Sequence, residues 1–105
     1  MRMRTLISTA LVTAAAAAPV VVTAAPADAA SLSTWNRIAR CESGGRWHIN
    51  TGNGYYGGLQ ISASTWRAFG GRRYAALPHR TTKAHQIRIA ENIRRGQGWR
   101  AWTCA

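Results

Sequence analysis

From Leu6 to about Val22 the chain carries no charge, after a short basic start at Arg2 and Arg4. Further along, the apolar positions become periodic. Trp35, Ile38 and Ala39 recur at helical spacing and Glu42 falls on the same face, so Ser31 to Ser43 reads as a first helix. Ser33 or Thr34 can cap its start, and Gly44-Gly45 supplies a stop. The stretch from Gly44 to Ile61 breaks the period. It holds six glycines, a Gly52-Asn53-Gly54 turn signal, and short extended pieces around Tyr55-Tyr56, Leu59 and Ile61. An irregular loop with a small hairpin is expected, and its length favours a functional loop over a plain connection. Ser62 or Ser64 can cap a short second helix through Trp66 and Phe69, ended by Gly70-Gly71. Thr81 or Thr82 can cap a third, running to about Arg95 and stopped by Gly96, with Gln86, Ile89, Ala90, Ile93 and Gln97 on one face. Glu91 lies off that face beside Arg88, Arg94 and Arg95, and is expected to form a solvated surface pair. Trp99 and Trp102 form an aromatic knot ahead of Cys104. The fold class that follows is mainly α with a small irregular β or loop region.

The uncharged run near the start has its own meaning. A basic n-region, an apolar h-region and the small–x–small pattern Ala27-Asp28-Ala29 describe a secretory signal. The alternative is an uncleaved membrane anchor, for which the run is long enough, but Pro19 and the weakly apolar alanines argue against it. The expected organisation is a signal peptide over residues 1–29 and one exported domain over residues 30–105.

Composition narrows the chemistry. Lys and Arg number 14, thirteen of them Arg, against three acids, Asp28, Glu42 and Glu91, for a formal charge of +11. So few acids cannot build a carboxylate-rich calcium or magnesium cage. Loss of residues 1–29 removes Arg2, Arg4 and Asp28, leaving 76 residues, two acids and a formal charge of +10. Such a balance predicts attraction to polyanions. Nucleic acid fits the charge and the five tryptophans, but export and the lack of a recognised module argue against it.

Cys41 and Cys104 stand near the two ends of the domain. In an exported protein they read as a structural disulfide, because the compartment is oxidising. Two free thiols, or a metal site using His48, His79 or His85, would be the alternatives. No CxxC or HxxxH spacing supports a metal, and none is expected.

Glu42 ends the apolar stripe of the first helix. Burial beside Trp35 and Ile38 and the negative end of the helix dipole both disfavour its charged form. A carboxyl so placed is suited to general acid work on a glycoside. Pairing with Arg40 or Arg46 at the helix end is the alternative.

Cys41-Glu42-Ser43-Gly44-Gly45, followed by Gly57-Gly58-Leu59-Gln60-Ile61-Ser62, resembles the lysozyme and lytic transglycosylase superfamily. The run from Cys41 to Gly71 is similar to the catalytic domain of the actinobacterial resuscitation-promoting factors, and the similarity extends from Trp35 to Cys104. This resemblance implies a compact lysozyme-like fold with one disulfide and a cleft for peptidoglycan glycan strands. It implies Glu42 as the catalytic residue and a Cys41–Cys104 bridge. It also implies Thr65, Gln60, Asn53 and Gln97 as polar cleft residues, with Tyr55 and Trp66 as aromatic walls. Trp66 can equally belong to the core, and Asn53 can serve only its turn. The tight Trp102-Thr103-Cys104 ending and the basic Lys83, His85 and Arg88 of the third helix depart from the family pattern.

Glycosidases with two carboxylates hold them about 5–10 Å apart. Here Glu91 would have to be the second, and its helix position argues against that. The expectation is cleavage of the MurNAc–GlcNAc β-1,4 bond by a single Glu assisted by the substrate, without cofactor. A monomer held to anionic wall polymers by its arginines is expected. The competing reading is a non-catalytic wall-binding or cationic antimicrobial protein.

Overall fold

Helix α1 spans Leu32–Ser43 in the computed structural model, which describes residues 29–105. The leader read from residues 1–29 therefore lies outside the described residues, apart from Ala29. Ser31, not Ser33 or Thr34, caps α1: its backbone is extended and its Oγ accepts the Thr34 N–H at 3.2 Å. Ser33 and Thr34 lie inside the first turn, with their hydroxyls 3.1 and 2.9 Å from that of Ser31. At the other end Gly44 adopts φ 69°, and the N–H groups of Gly44 and Gly45 return to Arg40 O and Ala39 O, both at 3.0 Å. That left-handed cap closes the helix directly after Glu42 and Ser43.

Strands β1 (Tyr55–Tyr56) and β2 (Ile61–Ser62) pair antiparallel, with Tyr55 opposite Ser62 and Tyr56 opposite Ile61. Helix α2 (Ala63–Ala68) follows without a loop, because Ser62 ends the strand and caps the helix, its Oγ accepting the Thr65 N–H at 3.3 Å. Single 3-10 turns at Gly71–Arg73 and Pro78–Arg80 lead to helix α3 (Lys83–Gln97), capped by Thr82. A last 3-10 turn, Trp99–Ala101, precedes the C-terminal residues.

Helix α3 does not stop at Gly96. The residue that turns the chain is Gly98, at φ 79°, its N–H bonded to Arg94 O at 2.7 Å. Gly96 has a packing reason instead: a Cβ there would stand 2.6 Å from Phe69 Cε1, so its bare backbone admits the Phe69 ring.

The core joins all three helices to the hairpin through Trp35, Ile38, Leu59, Ile61, Trp66, Ile89, Ile93 and Trp102, each no more than 5 % exposed. Burying one such side chain is worth about 1.5–3 kcal/mol. Trp35 packs edge-on to Trp102, with ring centroids 5.1 Å apart, and against Trp99 at 5.2 Å. Cys41 and Cys104 form the disulfide, with Cα atoms 5.8 Å apart, tying the end of α1 to the C-terminal segment. Among the described residues the fold is thus mostly helical, with one two-stranded sheet and one bridge.

Glu91 departs from expectation. It pairs with Arg94, Oε1 to Nη2 at 2.9 Å, but the residue is only 8 % exposed. Its Oε2 accepts the buried indole N–H of Trp35 at 2.8 Å and the backbone N–H of Ala30 at 2.9 Å. The wheel of α3 alone could not reveal this, because the cover over Glu91 comes from the start of α1.

Candidate active site

Ser43 joins the Glu42-Ser43 helix end to the downstream Gly57-Gly58-Leu59-Gln60 segment. Its buried hydroxyl lies 2.8 Å from Gly58 O and 3.0 Å from Ala39 O, and it accepts the Arg46 N–H at 3.1 Å. The other side of Gly58 is held as firmly. Its N–H donates to Gln86 Oε1 at 3.0 Å, while Gln86 Nε2 donates to Trp47 O at 2.8 Å and Thr81 O at 3.1 Å. Gln86 is fully buried with its amide satisfied, so the glycine-rich loop is anchored to α1 in front and α3 behind.

Two residues on, Gln60 sits at φ 51°, a left-handed conformation that costs a non-glycine residue about 1–2 kcal/mol. Its own side chain offsets part of this, Nε2 donating to Gly57 O at 3.1 Å. The conformation puts Gln60 into a cleft with Tyr55, Thr65 and Gln97, floored by Ile61, Ile93 and Trp102. These come from β1, β2, α2, the last turn of α3 and the segment after it. Tyr55 is 51 % exposed, so its ring is free to meet a ligand.

The remaining expected site residues fall elsewhere. Asn53 stands at the edge: its Oδ1 accepts the Tyr55 N–H at 3.0 Å and its Nδ2 donates to Gln60 Oε1 at 3.3 Å. It serves its turn and orients Gln60 at once. Trp66 has no exposed surface; its indole N–H donates to Ala75 O at 2.8 Å. It belongs to the core and cannot present a face to a ligand. Trp102, read from sequence only as part of an aromatic knot, is the tryptophan that reaches the cleft, with its N–H on Leu59 O at 3.1 Å. The bridge makes this possible, since fixing Cys104 brings Trp102 back against β2.

Glu42 is half-buried and lies beyond the cleft lining. Two tethers connect it to the cleft. Ser43 beside it binds Gly58, and its own Oε2 accepts the Cys104 N–H at 3.1 Å, two residues after Trp102. Among the described residues it forms no ion pair with Arg40 or Arg46. Arg46 instead donates its Nε to Ser43 O at 2.8 Å, satisfying a carbonyl at the helix end. The site can therefore present one carboxyl with an oxygen open to a ligand, beside a groove of amide, hydroxyl and aromatic groups.

A second hollow lies against Thr34, Arg37, Ile38, Trp99 and Ala105. It carries no acid and none of the expected site residues. Away from both, His79 stacks on Tyr56 with ring centroids 5.3 Å apart, and its buried Nδ1 has no partner. Its pKa is lowered from 6.5, first by desolvation and then by the charges of Arg80 and His48.

The sequence model of the transglycosylase-like domain matches residues 29–105. Resuscitation-promoting factor Rpf1 of Corynebacterium glutamicum is 53 % identical over 90 residues, which are 86 % of this chain and 47 % of that protein. Resuscitation-promoting factor Rpf of Micrococcus luteus is 55 % identical over 78 residues, 74 % of this chain and 34 % of its own length. Resuscitation-promoting factor RpfE of Mycobacterium tuberculosis is 56 % identical over 79 residues, 75 % and 44 %. The matched region spans less than half the length of these relatives. Across the described residues, from the Glu-Ser helix end to the bridged C-terminal segment, the chain belongs to the transglycosylase-like domain family, of the kind found in resuscitation-promoting factors.

Proposed function

We propose that the chain is an exported, wall-associated enzyme that cleaves the MurNAc–GlcNAc β-1,4 bond of peptidoglycan, with Glu42 as its single acid and base. The observation that carries this reading concerns the other carboxylate. Glu91 has Oε2 occupied by Trp35 and Ala30 and Oε1 by Arg94, and is buried beneath them. It has no lone pair to offer a sugar, whereas Glu42 accepts one N–H at Oε2 and, among the described residues, no donor at Oε1.

In the proposed reaction Glu42 donates its proton to the glycosidic oxygen. The C1–O bond breaks and its electron pair stays on that oxygen. The 6-hydroxyl of the MurNAc ring attacks C1 and returns its proton to Glu42, closing a 1,6-anhydro ring and restoring the acid. With one carboxylate, the nucleophile must come from the substrate or from water. Tyr55, Gln60, Thr65 and Gln97 hold the glycan, with Asn53 orienting Gln60. Among the described residues ten exposed arginines, Arg37, Arg40 and Arg46 in the first part and seven from Arg67 to Arg100 with the half-buried Arg94 left out, hold a single chain to anionic wall polymers. The relatives' names supply the role proposed in growth resumption.

Mass analysis of muropeptides released from purified peptidoglycan tests the reading. Products lighter by one water than reducing-end products support attack by the 6-hydroxyl. Reducing ends would replace that step with hydrolysis, and absence of products would leave wall binding without turnover.

A further inference from the structure

Two independent features meet at one peptide bond. In the sequence, Ala27-Asp28-Ala29 is a small–x–small pattern that places a cut between Ala29 and Ala30. In the structure, Ala30 is the residue whose backbone nitrogen lies 2.9 Å from Glu91 Oε2, a contact spanning 61 positions. We infer that the Ala29–Ala30 bond is a processing site and that the α-ammonium group it releases docks on Glu91, locking the processed domain.

The covalent step is hydrolysis by an export-linked protease. The C–N bond between Ala29 and Ala30 breaks, the water oxygen goes to the Ala29 carbonyl carbon, and a carboxylate leaves with the leader. The Ala30 nitrogen takes up protons and becomes an ammonium. An amide N–H offers Glu91 one neutral donor. The ammonium offers a positive charge and three protons at the same atom, and charge-assisted hydrogen bonds are roughly twice as strong as neutral ones.

Glu91 is built to receive that charge. Its Oε1 is held by Arg94 Nε at 3.0 Å and Nη2 at 2.9 Å, with Arg95 Nη1 at 4.0 Å, so the carboxylate is fixed from the α3 side. Its Oε2 faces the start of α1 and, among the described residues, takes Trp35 Nε1 and Ala30 N. Ala30 itself packs against the hydrophobic core. A chain begun one residue later would lack the donor, and one begun two residues earlier would move the charge away. The dock also reaches the cleft. Trp35, which shares Oε2 with Ala30, packs edge-on to Trp102, and Trp102 lines the cleft. Processing therefore tightens the wall on which the glycan is proposed to rest, by a route that does not involve Glu42.

The test begins with the whole chain expressed in an exporting bacterial host. The intact mass of the released protein is expected to place Ala30 first; another first residue overturns the proposal. A second form carries Gly-Ser inserted between Ala29 and Ala30, which keeps the export signal and shifts the ammonium. The unfolding equilibrium constant of the Ala30 form is expected to be about tenfold smaller than that of the extended form. Introducing Glu91→Gln into both should abolish the difference. Equal stability of the two forms, or a difference that survives Glu91→Gln, overturns the dock. Should the Gln variants fail to fold, acylation of the α-amine near pH 7 decides. It is expected to be about tenfold slower in the folded Ala30 form, since the ammonium is held on a carboxylate. Equal rates overturn the dock.

Discussion

The main-chain N–H of Cys104 donates to Glu42 Oε2 at 3.1 Å, joining the last turn of α1 to the C-terminal segment across 62 positions. The disulfide sits one residue from one end of this contact and at the other, since Cys41 precedes Glu42 and Cys104 is the donor. The bridge thus does two things. It closes the domain, and it delivers a hydrogen-bond donor to Glu42, the side-chain carboxylate that is not enclosed among the described residues.

Reduction should therefore damage stability and site together. In the chain-entropy argument a loop of this length contributes about 4 kcal/mol, a large share of the stability of a domain this small. Denaturant unfolding with and without reductant should show a loss of that order. A Cys41→Ser, Cys104→Ser chain should behave as the reduced one.

Ser43→Ala should cost about 1–3 kcal/mol, because it strands the buried Gly58 carbonyl and the Arg46 N–H. Thermal melts would read the loss. A companion fall in glycan cleavage is expected, since Gly58 sets the position of Gln60. Full activity in a destabilised variant would show that the loop keeps its place without Ser43.

His79 predicts a pH effect of defined sign. Its pKa in the fold is lowered from 6.5, so its contribution is present above that value and is lost as pH falls through the window below it. Stability measured from pH 7.5 downward should decline below about 6.5. His79→Phe should flatten that part of the profile, as the residue stacks on Tyr56 and its Nδ1 has no partner to lose.

Wall binding should weaken as salt rises, because exposed charges are screened over about 8 Å at physiological ionic strength. Sedimentation with purified walls from low salt to molar salt would measure it. Binding that does not change with salt would assign retention to the cleft rather than to the arginines.

Much of this was legible in the sequence, for physical reasons. The periodicity of Trp35, Ile38 and Ala39 fixed α1, and Ser62 and Thr82 cap α2 and α3 as two of the offered candidates. The Cys41–Cys104 bridge agrees with the disulfide expected of an exported domain of this size. What escaped depends on contacts between distant segments. Helix periodicity ranks faces of one helix and cannot see that the start of α1 lies over Glu91. Trp66 and Trp102 are alike in composition terms, yet one is enclosed by α2 and the Gly71–Arg73 turn while the other faces the cleft. Gly96 and Gly98 both read as stops, and only the approach of Phe69 separates a packing glycine from a capping one.

The central claim is that, of the two acids among the described residues, Glu42 does the chemistry and Glu91 holds the fold. The direct measurement is muropeptide release by Glu42→Gln and Glu91→Gln beside the parent chain, with a melt of each. Glu42→Gln keeps an acceptor for the Cys104 N–H, so it should melt within about 1 kcal/mol of the parent and release no product. Glu91→Gln should melt lower by about 3 kcal/mol or more, having lost a buried charge against Arg94, while its folded fraction still cleaves. Full product release by a folded Glu42→Gln chain would contradict the account.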